Sequence, residues 1–166
     1  FVRLMRRYAY KGFIVNLEQK IPPVILTIIF VGIMYLTNLY LKFTLFDLPF
    51  KVEVLLIFFI IGVTFALAGV ISFKKHKTTL DPMNTENVST LVKSGVYRYT
   101  RNPMYVGMLM ALLGYGFFLS NPINLFITVL FIWYMNKFQI KPEEVFLSSV
   151  FGNDYDEYKK SVKRWL

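Results

Sequence analysis

The chain has 166 residues, of which 55% are hydrophobic, with 17 Phe, 11 Tyr, a mean hydropathy of +0.48 and a formal charge of +9. That is too apolar for an ordinary soluble domain of this length. The absence of cysteine excludes disulfides, thiolate nucleophiles and Cys-based metal sites.

Five basic residues lie in 1–20, and an uncharged run follows at 21–41, "IPPVILTIIFVGIMYLTNLYL". A second uncharged run covers 54–73, "VLLIFFIIGVTFALAGVISF". At about 1.5 Å per residue each spans roughly 30 Å as a helix, the thickness of a hydrocarbon core. The first run is too long for a signal-peptide core, and no small-residue cleavage site follows it. A third apolar region, 104–135, is interrupted at Ser120–Pro122, which predicts a tight helical hairpin whose second arm opens at Pro122. The count is about four transmembrane helices, or five if one long run splits. The fold class is therefore all-α and polytopic, a single membrane-embedded domain over 1–166, with N-terminal helices in 1–73 and a second half in 74–166.

With four spans, 17 of the 19 basic residues fall on one side and only Lys42 and Lys51 on the other. The positive-inside rule then places both termini and the 74–103 loop in the cytoplasm. The same distribution accounts for the net charge without nucleic acid as a partner. The lipid bilayer is the partner that the composition requires.

The 74–103 loop mixes Thr, Asn, Ser, Asp, Pro and Gly and should be mostly irregular. A structureless loop of roughly 30 residues is uncommon unless functional, and Leu91, Val92, Tyr97 and Tyr99 suggest that this one folds over something. It ends in "SGVYRYTRNPMYVG", residues 94–107. Asn102 suits a helix N-cap and Pro103 a first helical position, so the third membrane helix should start here. Unpaired N–H groups at that helix end, with Arg98 and Arg101, would form an anion-binding corner at the membrane surface. The plainer alternative is that the two arginines snorkel to lipid headgroups. His76, the only histidine, reads as a solvated flank of the second helix, and neither a Ser–His–Asp triad nor a His-rich zinc-protease spacing is present.

Beyond the hairpin, Pro142 predicts another helix start, with Glu143 and Glu144 in its first turn. Adjacent helical residues point about 100° apart, so one carboxylate could pair with Arg98 or Arg101 while the other faces a ligand. Residues 151–166, "FGNDYDEYKKSVKRWL", read as a cytoplasmic amphipathic helix. Tyr155, Tyr158 and Val162 would form its apolar face, Lys159, Lys160, Lys163 and Arg164 its polar face, and Trp165 an interfacial anchor. Small residues fall into rows, Gly62, Ala66 and Gly69 on the second helix and Gly107, Ala111 and Gly114 on the third, which predicts close helix packing. Gly107 could in addition leave room for a flat ligand.

Three elements taken together, "SGVYRYTRNPMYVG", "PEEVFL" at 142–147 and "FGNDYDEYKKSVKRWL", resemble the isoprenylcysteine carboxyl methyltransferase and phospholipid methyltransferase superfamily of integral membrane enzymes. "TTLDP" at 78–82 is similar to an element that precedes the core motif in small prokaryotic members. The resemblance implies S-adenosylmethionine as cofactor. It maps that cofactor's pocket onto Gly95, Tyr97, Arg98, Arg101, Asn102, Pro103, Tyr105, Gly107, Glu143 and Glu144, with Arg101 and Glu144 as catalytic residues and no metal. Asn102 stands where the superfamily pattern has His; Asn cannot shuttle a proton near neutral pH, so the resemblance implies a binding role there.

The implied activity is methyl transfer to a lipophilic, membrane-borne acceptor at the cytoplasmic face. The acceptor could be a carboxylate such as a prenylcysteine-like terminus, which needs no base, or a lipid amine, for which Glu143 or Glu144 would be the base. Two other readings stay open from sequence: an NADPH-dependent reductase of the sterol-reductase type, and a non-enzymatic membrane protein whose motifs are caps and anchors.

Overall fold

A computed structural model of the chain describes residues 21–41, 43, 48–75 and 90–166. The basic residues of 1–20, Lys42, His76 and the "TTLDP" element lie outside the described residues. Among the described residues the structure is all-helical, with α1 at Pro23–Tyr40, α2 at Lys51–Lys75, α3 at Pro103–Leu119, α4 at Pro122–Tyr134, α5 at Lys141–Phe151 and α6 at Asn153–Ser161. A 3-10 turn, Gly95–Arg98, precedes α3, and a π turn, Met135–Ile140, joins α4 to α5.

The π turn overturns one expectation. The second arm of the hairpin does not stop near residue 135 to restart at Pro142; Pro122–Phe151 is one helical run of 30 residues. A proline inside an α-helix lacks an N–H and crowds the carbonyl four residues back. Here the amide of Lys141 reaches back five residues to the Asn136 carbonyl, and this wide turn lets the chain pass Pro142 without breaking. Three helical runs, Pro23–Tyr40, Lys51–Lys75 and Pro122–Phe151, are long and apolar enough to cross a membrane, while Pro103–Leu119 is apolar but shorter.

The expected hairpin forms. Ser120 takes the left-handed conformation (φ 54°), and Asn121 caps α4 by accepting from the Ile123 amide at 3.1 Å. The Asn121 Nδ2 also donates to the Leu41 carbonyl at 2.8 Å, tying the hairpin to the end of α1.

α3 is the central helix and packs on two sides. Toward α1 and α4 it contributes Tyr105, Leu109 and Leu112 to a core with Leu26, Met34, Ile127, Phe131, Met135 and Ile140. Toward α2 it presents the predicted row of small residues. A Cβ at Gly107 would stand 2.5 Å from the Gly62 carbonyl oxygen, one at Gly62 would stand 2.7 Å from the Gly107 oxygen, and one at Gly69 would meet Pro103. Backbone meets backbone at this crossing, the arrangement that small residues permit in a membrane, where packing rather than water exclusion drives association. α1 and α2 bury little of their apolar surface within the bundle. Val24, Ile28, Leu36, Leu56, Ile60 and Leu67 face outward, as lipid-facing residues must.

The predicted amphipathic helix at 151–166 is shorter than expected. α6 ends at Ser161, and Val162 is extended (φ −127°, ψ 135°). Gly152, at φ 54° and ψ −128°, makes the sharp corner between α5 and α6, a conformation open essentially to glycine. Tyr155 and Tyr158 are buried as the apolar face. Trp165 is half-buried: it packs against the core, and its indole N–H donates to Asn136 Oδ1 at 3.2 Å.

Candidate functional site

The site lies where the Gly95–Asn102 segment, the start of α3, α5, α6 and the tail Val162–Leu166 meet. Gly95 opens the segment at φ 63°, with Ser72 Oγ 3.0 Å from where a Cβ would sit. The 3-10 turn then divides its side chains between inside and outside. Tyr97 is buried, edge-on to Phe73 at 5.3 Å, whereas Arg98 and Tyr99 are exposed. The Tyr97 carbonyl accepts a 2.6 Å hydrogen bond from the buried Tyr158 hydroxyl, which docks α6 onto the segment.

Three hydrogen bonds fasten the tail to residues 100–102. The Arg101 amide donates to the Lys163 carbonyl (3.0 Å), while Thr100 Oγ1 (3.0 Å) and Asn102 Nδ2 (2.9 Å) both donate to the Arg164 carbonyl. Asn102 does sit at the N-cap position of α3, but its side chain makes no capping hydrogen bond. Its amide is committed to the tail, so the expectation of a capping side chain is corrected. Thr100 Oγ1 in turn accepts from the backbone N–H of Asn102 at 3.1 Å.

Glu143 and Glu144 diverge as adjacent helical residues should. Glu144 turns to the arginines: Arg101 Nη2 lies 3.0 Å from Oε1, and Arg164 grips both oxygens, Nε to Oε1 at 2.8 Å and Nη2 to Oε2 at 2.6 Å. Glu143 Oε1 accepts from the Tyr105 hydroxyl at 2.5 Å. One carboxylate pairs with an arginine, as the sequence suggested, and that arginine is Arg101. Arg98 is exposed and joins none of the described ion pairs.

The Arg101 side chain is 10% exposed, yet its Nε and Nη1 are buried without a hydrogen-bond partner among the described residues. A buried guanidinium with unpaired donors is costly, and such groups in a native fold are ordinarily satisfied by a ligand or water. The surrounding phenols favour the neutral state. Burial, reinforced by the Glu144 carboxylate, pushes Tyr155 up to about 12. Burial likewise raises Tyr97 and Tyr158. The Glu144 hydrogen bonds raise Arg164 further above its already high value. The arrangement is a buried corner of two arginines and two glutamates, with the Tyr155 phenol beside Arg101, in which two Arg101 nitrogens have no hydrogen-bond partner among the described residues and could take an anionic group.

The predicted site residues Tyr97, Arg101, Asn102, Pro103, Tyr105, Glu143 and Glu144 are thus gathered at one end of the bundle. Gly95 serves the turn, and Gly107 lies at the α2–α3 crossing, where its absent side chain is filled by Gly62 and Ala66. Sequence reasoning missed Arg164, which it assigned to the polar face of a helix. It also missed Thr100, and it took Tyr155 and Tyr158 only as the apolar face of that helix. No local pattern marked Arg164: both arginines pair with Glu144, while Glu143 takes the Tyr105 hydroxyl.

Comparison with known proteins matches residues 50–154 to the phospholipid methyltransferase family model. Protein-S-isoprenylcysteine O-methyltransferase A of Arabidopsis thaliana is 36% identical over 107 residues, covering 64% of this chain and 54% of that protein. The protein-S-isoprenylcysteine O-methyltransferase of Schizosaccharomyces pombe is 38% identical over 72 residues, 43% of this chain and 30% of that protein. An uncharacterized protein of Haemophilus influenzae is 41% identical over 63 residues, 38% of this chain and all of its own length. The chain thus spans about half the length of the Arabidopsis relative. The family match takes in α2 through the start of α6, which includes Arg101, Glu143 and Glu144 while Arg164 lies beyond it, and the chain is a member of the phospholipid methyltransferase family.

Proposed function

We propose that this protein is an integral membrane methyltransferase that uses S-adenosylmethionine to methylate a lipophilic acceptor at the cytoplasmic face. The observation that carries the reading is the buried Arg101 guanidinium, held by Glu144 through one nitrogen and with Nε and Nη1 without a hydrogen-bond partner among the described residues. The residues present fit the cofactor: its carboxylate is the kind of anion that free guanidinium donors bind, and Tyr97, Pro103 and Tyr105 offer buried apolar surface beside them. When bound, S-adenosylmethionine supplies an electrophilic methyl group on a sulfonium sulfur.

The chain's own residues would bind, orient and exclude water. Arg101 would fix the polar ligand at the membrane surface, Asn102 would hold the tail beside it, and the buried tyrosines would keep the site dry, where opposite charges attract more strongly. We favour a carboxylate as the acceptor, because the Arabidopsis and fission-yeast relatives are O-methyltransferases by name. A carboxylate oxygen needs no base. Were an amine the acceptor, Glu143 would hold the departing proton, since both Glu144 oxygens are committed to arginines. That shifts the role of Glu144 from catalysis to binding. The family membership favours methyl transfer over the reductase reading, whose NADPH phosphates an arginine corner would also suit.

The test is calorimetric titration of the detergent-purified protein with S-adenosylhomocysteine, with NADPH in parallel. The wild type should bind the former saturably and the latter not at all. Arg101→Ala, which removes charge-assisted hydrogen bonds worth about 1.5–3 kcal/mol, should weaken binding roughly 10- to 150-fold. No binding by the wild type, or equal binding by the variant, would overturn the assignment.

A further inference from the structure

The tail residue Arg164 poses a question that the cofactor reading leaves open. Glu144 already has a buried partner in Arg101, yet Arg164 takes both of its oxygens. A guanidinium and a carboxylate left to themselves favour two parallel N–H···O bonds, fork to fork. With only Arg101 and Glu144 present, that pairing would close the carboxylate onto a full edge of Arg101. The arrangement seen is different: Arg164 holds the fork, through Nε and Nη2, and Arg101 keeps a single contact at 3.0 Å.

We infer that Arg164 is a positioning residue: by holding Glu144 at both oxygens it keeps that carboxylate off the face of Arg101 and leaves Arg101 Nε and Nη1 open to an anionic ligand. The inference rests on the methyltransferase reading and deepens it, since it says how the binding arginine is kept available. The backbone supports it. The carbonyl of Arg164 receives both Thr100 Oγ1 and Asn102 Nδ2, and the neighbouring Lys163 carbonyl receives the amide of Arg101 itself. The main chain that carries one arginine is thereby fixed to the main chain that carries the other. One residue further on, Trp165 is tied to Asn136 in the π turn, six residues before Pro142 and on the same helical run as Glu144. The tail thus holds both members of the pair it regulates.

The alternative is that Arg164 merely staples the tail in place, and a double-mutant cycle separates the two. S-adenosylhomocysteine affinity is measured for the wild type, Arg164→Ala, Glu144→Gln and the combined variant. Arg164→Ala should weaken binding about tenfold or more, because Glu144 is freed to compete for Arg101. In the Glu144→Gln background the same change should cost much less, because a neutral amide competes poorly for a guanidinium. Arg164→Lys keeps the charge but cannot form the fork; it should fold and bind several-fold more weakly than the wild type. Wild-type affinity in Arg164→Ala or Arg164→Lys would overturn the inference while leaving the cofactor reading intact. So would a combined variant that binds no more tightly than Arg164→Ala, the outcome if Arg164 merely staples the tail through its pair with Glu144. If the wild type itself failed to bind, the cofactor reading would fall first and this inference with it.

Discussion

Gly107→Ala and Gly32→Ala make the same chemical change at two membrane helices and should have opposite consequences. A Cβ at Gly107 would stand 2.5 Å from the Gly62 carbonyl oxygen, 3.2 Å from Ala66 Cβ and 3.4 Å from the Ala66 nitrogen, whereas one at Gly32 would meet nothing within 4 Å. The closest of these contacts is with main chain, so no side chain can swing aside, and α2 and α3 must part locally by somewhat under 1 Å. Overpacking of this kind costs about 1–3 kcal/mol. The gain from Ala over Gly in a helix, about 0.5–1 kcal/mol, is common to both positions and cancels in the comparison. The two variants should therefore differ by about 1–3 kcal/mol. At roughly 2–4 °C per kcal/mol for a chain of this size, thermal unfolding in detergent should separate their midpoints by about 2–12 °C, Gly107→Ala lying below and Gly32→Ala at or above the wild type. Equal midpoints would mean that α2 and α3 do not cross at these glycines, and the placement of the site above that crossing would fall with it.

Two further outcomes follow from the docking of α6. Tyr158→Phe deletes the 2.6 Å bond to the Tyr97 carbonyl and leaves that oxygen buried and unpaired; the cost should be about 1–3 kcal/mol of stability, read by thermal unfolding, with little change if α6 is not docked there. Tyr97, Tyr155 and Tyr158 all have phenols raised by burial, Tyr155 to about 12. Their neutral forms are favoured in the folded chain, while the unfolded chain ionises near pH 10. Their contribution to stability is therefore complete below about pH 10 and is lost as pH climbs toward 12. Tyrosinate absorbance followed alongside helical circular dichroism should show a late group of tyrosines that ionise only as the helices melt; a single ionisation of all tyrosines near pH 10 with the fold intact would contradict this.

The features legible in the sequence are those set by local pattern. Asn121–Pro122 gave the hairpin because cap and first-turn chemistry act within three residues, and the small rows gave the α2–α3 crossing because helical spacing alone puts them on one face. The divergence of Glu143 and Glu144 was legible for the same reason. Pro142 misled because a proline usually marks a helix start, and nothing local announces a π turn that accommodates one. Asn102 misled because its amide had a better partner 62 residues away in the tail than the helix end beside it. Arg164 was beyond reach of any pattern: its role depends on a non-helical segment returning to residues 100–102, a meeting that only the folded chain reveals.

The π turn carries a consequence for how this helix tolerates change. Between the hairpin and the paired glutamates the chain holds one residue more than a plain α-helix would need, and the wide turn at Met135–Ile140 absorbs it. Straightening that turn at constant length would swing every later residue by about 100°, turning Glu144 away from both arginines. Losing one residue there would restore the facing of the glutamates, but it would set Pro142 inside a plain α-helix, where its ring crowds the carbonyl four residues back. The membrane arm and the charged corner therefore share one rod, and the wide turn sets the angle between them: a residue inserted elsewhere in the run would turn Glu144 away from both arginines.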